Sequence, residues 1–520
     1  MREKSMAFTK RCRGLSRRDF LKTWALATSW VPGLGFFFNY DRPVSGESSS
    51  SWAKNSGLAF SGASNFSENY KFSPLHPHGG LPETRALLPE VKPKIALIFT
   101  HISPDKPTWP YLGYDYEARK KELTQKLTEA LPGIDLVPLT LKSAEEAGRW
   151  LEKNLNFDGF VVYIVGIWTG AVEKIMASGQ PTILIDDLYA GTGEFLIQYA
   201  RAKREGKKVF GVASSRFQDV IEAVRSFEWL KKLSSSRLLD VTDSEGYWGD
   251  PKVIKEVFGI EVQKINSPAI NDVYQRMNRA EAEKWANHWI RQAERVVEPT
   301  TEEIKKSGAM YLALLELLSQ YRAQAITIDC LSLFYGGKLP AYPCLGFFQL
   351  NNDGLVGACE GDLPSTCLML LSTYMAGRPG YISDPVIDTA HNQIIYAHCV
   401  APNKVFGPTG RTNPYRLRSH AEDRKGAAVQ SLLPAGEILT SVEFNCERRE
   451  FVLHQAVSVG NVEEDKACRT KLAARVKGDI NKLMGEWDRF GWHRVTIYGD
   501  YKKPIEMTAS LLGLKIIYEA

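Results

Sequence analysis

The chain has 520 residues, 44% hydrophobic and 24% charged, with a formal net charge of +5. That length suits two or three domains, and that composition a globular protein rather than a disordered or fibrous one. Arg2, Lys4, Lys10, Arg11, Arg13, Arg17, Arg18 and Lys22 crowd the first 22 residues, so the remainder is near neutral and no basic stripe argues for nucleic acid.

In chain order, the first element is a targeting segment. Ser16-Arg17-Arg18-Asp19-Phe20-Leu21-Lys22 matches the twin-arginine export pattern, with Arg17 and Arg18 as its arginine pair. The apolar stretch 24–38 is too short, and too broken by Pro32, Gly33 and Gly35, to read as a membrane span. Residues 1–40 are therefore expected to direct export through the twin-arginine translocase to the periplasm or cell envelope. No Ala-x-Ala site follows Phe38, so an uncleaved anchor stays open. Residues 41–92, rich in Ser, Gly, Asn and Pro, read as a flexible linker.

From Pro93 short apolar runs alternate with amphipathic stretches. Strands are expected at 94–99, 134–141, 159–165, 181–185 and 208–212, and a helix at 116–131. This alternation predicts an open α/β sheet domain over 93–235. A second α/β domain is expected over 236–340, with strands at 237–241, 261–265 and 325–330. Between them lie a short helix ending at Gly259, a long helical region stopped by Pro299, and a helix at 302–321.

Residues 341–520 read differently. A helix is expected at 364–376, with Pro364 in its first turn and Gly377 at its stop. β-like runs follow at 394–400, 427–433, 438–444, 451–459 and 494–498, which predicts a β-rich, barrel-like C-terminal domain. The eight cysteines form no CxxC pair, which argues against a zinc ribbon or a thioredoxin-like site. They are expected as buried thiols, with a disulfide left open if the protein leaves the cytoplasm.

Candidate chemistry gathers in this last region. Glu360 and Asp362, in Cys359-Glu360-Gly361-Asp362, stand just before the expected helix, where an anion is favoured; Asp362 reads either as a helix cap or as a site residue. Asp384, in Ser383-Asp384-Pro385, is expected in a loop, as a turn residue or a site carboxylate. His398 ends a strand and reads as a core group or a ligand. His493, before the strand at 494, is equally ambiguous in isolation. His420 and Glu422 form a further polar pair.

Taken together, these residues resemble the L-fucose isomerase and L-arabinose isomerase group, nearer the fucose side. The resemblance rests on Ala325-Ile326-Thr327-Ile328-Asp329-Cys330, Cys359-Glu360-Gly361-Asp362, Asp384, His398-Cys399, and His493 with Gly499-Asp500. It is most specific over 325–402 and 418–500. It implies two α/β domains ahead of a β-rich third, a homo-oligomer (trimer or hexamer), and a manganese ion held by Glu360, Asp384 (24 residues later) and His493. Glu360 and Asp384 would also be the acid/base pair, and His398, His420 and Asp362 would either support those ligands from behind or contact the substrate. Oxygen-rich ligands suit Mn²⁺ or Mg²⁺.

The implied activity is aldose–ketose isomerisation of a free sugar through an ene-diol, with proton transfer by a carboxylate. Two α/β domains behind an export signal would also suit a sugar-binding protein or a non-catalytic relative. A receptor, however, does not need a metal-ready carboxylate pair.

Overall fold

Nineteen short strands organise the described residues, 86–520 of a computed structural model, which all belong to one compact unit. The arginine pair Arg17-Arg18 and most of the expected linker lie outside these residues. The described end of that linker is tied down: Leu87 and Leu88 pack on the core, and Gln324 Nε2 donates to Leu87 O at 2.7 Å. Among the described residues no helix is long and apolar enough to cross a membrane.

The first sheet comprises β1 (Lys94–Thr100), β2 (Asp135–Leu141), β3 (Gly159–Ile164), β4 (Thr182–Asp186) and β5 (Val209–Val212), in the order β2-β1-β3-β4-β5, all parallel. Its central strands are buried almost throughout, as strands covered by helices on both faces must be. The expected boundaries differ from these by one residue or so.

The second sheet is also parallel. Its strands are β6 (Arg237–Val241) and β7 (Glu261–Ile265), then, after the two-residue β8 (Arg295–Val296), β9 (Ala325–Ile328) and β10 (Val356–Cys359), in the order β10-β9-β6-β7. It therefore runs past residue 340. The long helical region expected before Pro299 is two helices, Ser267–Arg276 and Arg279–Gln292, because the Asn278 side chain caps the second through Ala280 N and Glu281 N. The helix Thr301–Tyr321 packs closely on the second of these. A Cβ at Gly308 would lie 2.2 Å from Ala282 O, so only glycine fits there.

The remaining strands are β11 (Tyr381–Asp388), β12 (Gln393–His398), β13 (Tyr415–Arg418), β14 (Ala428–Ser431), β15 (Ile438–Asn445), β16 (Glu450–Asn461), β17 (Thr470–Val476), β18 (Arg494–Tyr498) and β19 (Lys515–Tyr518). The order β15-β18-β11-β12-β17-β16, with β16 pairing back to β15, closes an antiparallel barrel, and β19 adds to β16 in parallel. The two α/β sheets and the barrel are the architecture expected from the sequence. Asp384 corrects one detail: it lies within β11, not in a loop. Pro385 is tolerated there because β18 pairs only with Tyr381–Ser383, leaving the following residues open on that side.

Between the second sheet and the barrel runs the helix Leu363–Ala376, buried from Leu363 to Met375. It carries no charged residue, as suits a helix packed on every side, and its buried Ser and Thr hydroxyls find hydrogen-bond partners. Asp362 caps its start, Pro364 sits in the first turn, and Gly377 (φ +62°) ends it. The cap fixes where the loop Glu360–Asp362 enters the interior.

A candidate metal centre between the second sheet and the barrel

Four side chains converge where the carboxyl end of β10 meets the barrel rim. One ligand atom from each of Glu360, Asp384, His398 and His493 lies within 4.8 Å of the others. Ligands commonly gather beyond the carboxyl ends of strands in open α/β sheets. Glu360 directly follows β10, with a left-handed backbone (φ +68°) that a residue with a Cβ rarely adopts. Gly361 continues the turn at φ +67° and donates to Ile328 O at 3.0 Å. Such local strain clusters at functional sites.

Asp384 and His493 come from neighbouring barrel strands. The β11–β18 ladder ends at Ser383↔Arg494, and Asp384 and His493 are the next residues on each side. His493 Nε2 lies 3.3 Å from Asp384 Oδ1 and 3.6 Å from Glu360 Oε2. Its Nδ1 lies 2.8 Å from Asp362 Oδ2. Since a carboxylate only accepts, Nδ1 carries a proton, and in the neutral ring the Nε2 lone pair faces Glu360 and Asp384. The ring is buried, Nε2 has no hydrogen-bond partner, and Trp248 stacks on it with centroids 5.1 Å apart.

The field of the site is strongly negative. Burial alone would lower the His493 pKa, but the hydrogen bond to Asp362 and the close Asp384 and Glu360 carboxylates outweigh it and raise it well above 6.5, so a cation would take the place of the Nε2 proton. Asp384 shows the complement: burial pushes its carboxyl up, and the close His493 ring and the Trp492 hydrogen bond pull it far below the usual range. Trp492 and Cys468 also donate to Asp384, the thiol at 3.5 Å. A site that stabilises positive charge this way, with two carboxylates and an imidazole lone pair, fits a divalent cation.

His398 plays a different part. Its Nδ1 accepts from Cys399 N–H at 3.0 Å, so the neutral ring carries its proton on Nε2, which is buried and unpartnered. Burial lowers its pKa, against the Asp384 and Glu360 charges, and favours that neutral form. An Nε2–H aimed into the cluster is a hydrogen-bond donor, not a ligand.

Asp362 caps the helix, one of the two readings the sequence left open, and also touches His493. Its Oδ1 caps the central helix through Ser365 N at 3.0 Å, and its Oδ2 holds His493. His420 is not among the four convergent residues; it stands 3.4 Å from Asp423 and tilts against Tyr342. The aromatic groups Trp248 and Trp492, and Ser365 and Glu443 behind Asp362, were not singled out from sequence. Seven cysteines, Cys330 to Cys468, are free thiols.

No protein-family model matches the chain. The chain is similar to the sulfoquinovose isomerase of Clostridium sp. (strain MSTE9), 26% identical over 185 residues, which cover 34% of this chain and 40% of that protein. It is similar also to the sulfoquinovose isomerases of Priestia aryabhattai and Priestia megaterium (strain ATCC 12872 / QMB1551). Each is 23% identical over 275 residues, 50% of this chain and 58% of the relative. The chain thus spans about half the length of the curated relatives it matches. A solved periplasmic solute-binding protein of an ABC transporter from Actinobacillus succinogenes, with bound D-allose, aligns with TM-score 0.16 and 14% identity. That alignment covers 48% of this chain and 83% of that one, and at this score it carries no argument.

Proposed function

We propose that this chain is a divalent-metal-dependent aldose–ketose isomerase that converts a free sugar through an ene-diol. The observation that carries the reading is the buried, unpartnered Nε2 of His493 between Glu360 and Asp384. The similarity to proteins named as sugar isomerases supports it. Glu360, Asp384 and His493 would hold the ion, with Mn²⁺ or Mg²⁺ suited to the oxygen-rich set. When bound, the ion would stabilise the negative charge that develops on the sugar oxygens.

The chain's own residues account for the remaining steps. One of the two carboxylates, Glu360 or Asp384, removes the C2 proton and returns it at C1, which is general base and then general acid catalysis. The turn at Glu360 and the strand position of Asp384 aim both carboxylates at one point. The His398 Nε2–H donates to a sugar oxygen. Trp248, stacked on His493, keeps water from that face of the ring.

The test is ketose formation by the Mn²⁺-loaded protein from a panel of free aldoses that includes sulfoquinovose, L-fucose and L-arabinose. Glu360→Gln and Asp384→Asn are expected to lose bound metal and to slow the reaction by orders of magnitude. Absence of ketose from every sugar with metal bound, or full activity in both variants, would remove the isomerase reading. The first outcome would leave a sugar-binding protein or a non-catalytic relative in its place.

A further inference from the structure

Behind His493 lies a second carboxyl that the reaction does not use. Glu443, on β15, is buried, as is Asp362. The Ser365 hydroxyl bridges them: its Oγ lies 2.7 Å from Glu443 Oε2 and 2.9 Å from Asp362 Oδ2. A serine hydroxyl has one proton to donate and can accept others. Two ionised carboxylates cannot both be satisfied by it, and two buried like charges around one hydroxyl are strongly disfavoured.

The remaining contacts decide which carboxyl holds the extra proton. Asp362 accepts from three donors, namely the Ser365 amide, the Ser365 hydroxyl and His493 Nδ1–H, so both of its oxygens are taken up as acceptors. The other oxygen of Glu443, Oε1, accepts from Phe444 N at 2.8 Å. Its Oε2 therefore carries the proton and donates to Ser365 Oγ. Burial first, then the Asp362 charge, raises the Glu443 pKa to about 8, in agreement with this assignment. Glu443 and Asp362 also line a cavity of about 610 Å³ between Trp248 and Arg489, through which water can exchange that proton.

We propose that Glu443 is a neutral positioning residue, the far end of a directed chain Glu443 Oε2–H → Ser365 Oγ–H → Asp362 ← H–Nδ1 His493, which holds the His493 Nε2 lone pair toward Glu360 and Asp384. It rests on the reading of His493 as a metal ligand. Its sense is that all of Asp362's negative charge is directed at one imidazole. An ionised Glu443 would compete for the serine proton and turn Asp362 away.

Two measurements test it. In the metal-free protein, the infrared carbonyl stretch of a protonated carboxyl is expected at neutral pH, and it should vanish in the difference spectrum of Glu443→Gln. This readout depends on neither metal nor activity, so it separates failure of this chain from failure of the isomerase reading.

The second is titration with Mn²⁺ alone. Glutamine reproduces both bonds of the neutral acid, so Glu443→Gln should bind within about threefold of the unaltered protein. Glu443→Ala and Ser365→Ala should bind about tenfold more weakly, the loss expected when a group that orients a ligand is cut. No protonated-carboxyl band lost in Glu443→Gln, equal losses for Gln and Ala, or a Glu443→Gln chain that fails to fold would each overturn the proposal.

Discussion

Replacing Asp362 by Asn separates two tasks carried by one carboxylate. Its Oδ1 accepts Ser365 N–H at the start of the central helix, and its Oδ2 accepts His493 Nδ1–H at 2.8 Å. Asparagine caps helices as well as aspartate, whereas alanine costs about 1 kcal/mol at such a position and up to about 2. With its carbonyl at the cap, however, Asn presents an NH₂ to His493. The ring must then accept through Nδ1 and carry its proton on Nε2, where the lone pair is needed. The reverse amide orientation keeps the His493 bond and loses the cap.

Loss of an orienting partner typically weakens metal binding 10- to 100-fold, which is about 1.4 to 2.8 kcal/mol. Mn²⁺ titration is therefore expected to show Asp362→Asn weaker by 10- to 100-fold. Its urea midpoint in chelator should stay close to that of the unaltered protein. Asp362→Ala is expected to lose both. An Asn variant that binds Mn²⁺ as tightly as the unaltered protein would refute the assignment of the His493 proton. An Ala variant of unchanged midpoint would refute the cap.

Two further outcomes are expected. His398→Asn should keep its metal, because Nε2–H is a donor and not a ligand, yet lose roughly 10²- to 10³-fold in kcat, as when one preorganised donor is removed; loss of the metal would show His398 to be a fourth ligand. Glu519, fully buried, accepts from Arg494 at 2.8 Å and pairs with His454 at 2.6 Å. Burial pushes its carboxyl up, but the Arg494 charge and the His454 hydrogen bond pull it down to about 2. A depressed folded value means stabilisation that is present above the unfolded value of about 4.3 and is lost as pH falls toward 2. Glu519→Gln should cost about 3–5 kcal/mol at pH 7, since it strands a buried arginine. That deficit should shrink as pH falls below about 4, and a deficit constant from pH 7 to pH 3 would sink the argument.

The parts of this fold that announce themselves in sequence are those whose burial pattern is simple. The parallel strands of the first sheet are continuous apolar runs, and the central helix carries a cap, an early proline and a terminal glycine. β11 was not legible because Ser383-Asp384-Pro385 carries turn chemistry, and only the open edge beyond Ser383 lets proline sit in a strand. β17 (Thr470–Val476) was not read as a strand: Leu472, Ala474 and Val476 share one face and Lys471 and Arg475 the other, but Ala473 and Ala474 in its middle have little strand preference. The charged residues of the candidate site were each ambiguous alone and were drawn together by the family resemblance. Trp248 and Glu443 were not, since they reach the site from β-sheet and loop positions far away in sequence, with no local pattern to mark them.

Glu360 follows the edge strand β10 of the second sheet, while Asp384 lies in β11 and His493 just precedes β18 of the barrel. A cation held by all three would therefore tie the second sheet to the barrel, and its chemical potential would become part of the protein's stability. By mass action, an ion at 100 times its dissociation constant adds about 2.7 kcal/mol to the folded state. Dilution into chelator would remove that contribution. Heat resistance would then track free metal concentration.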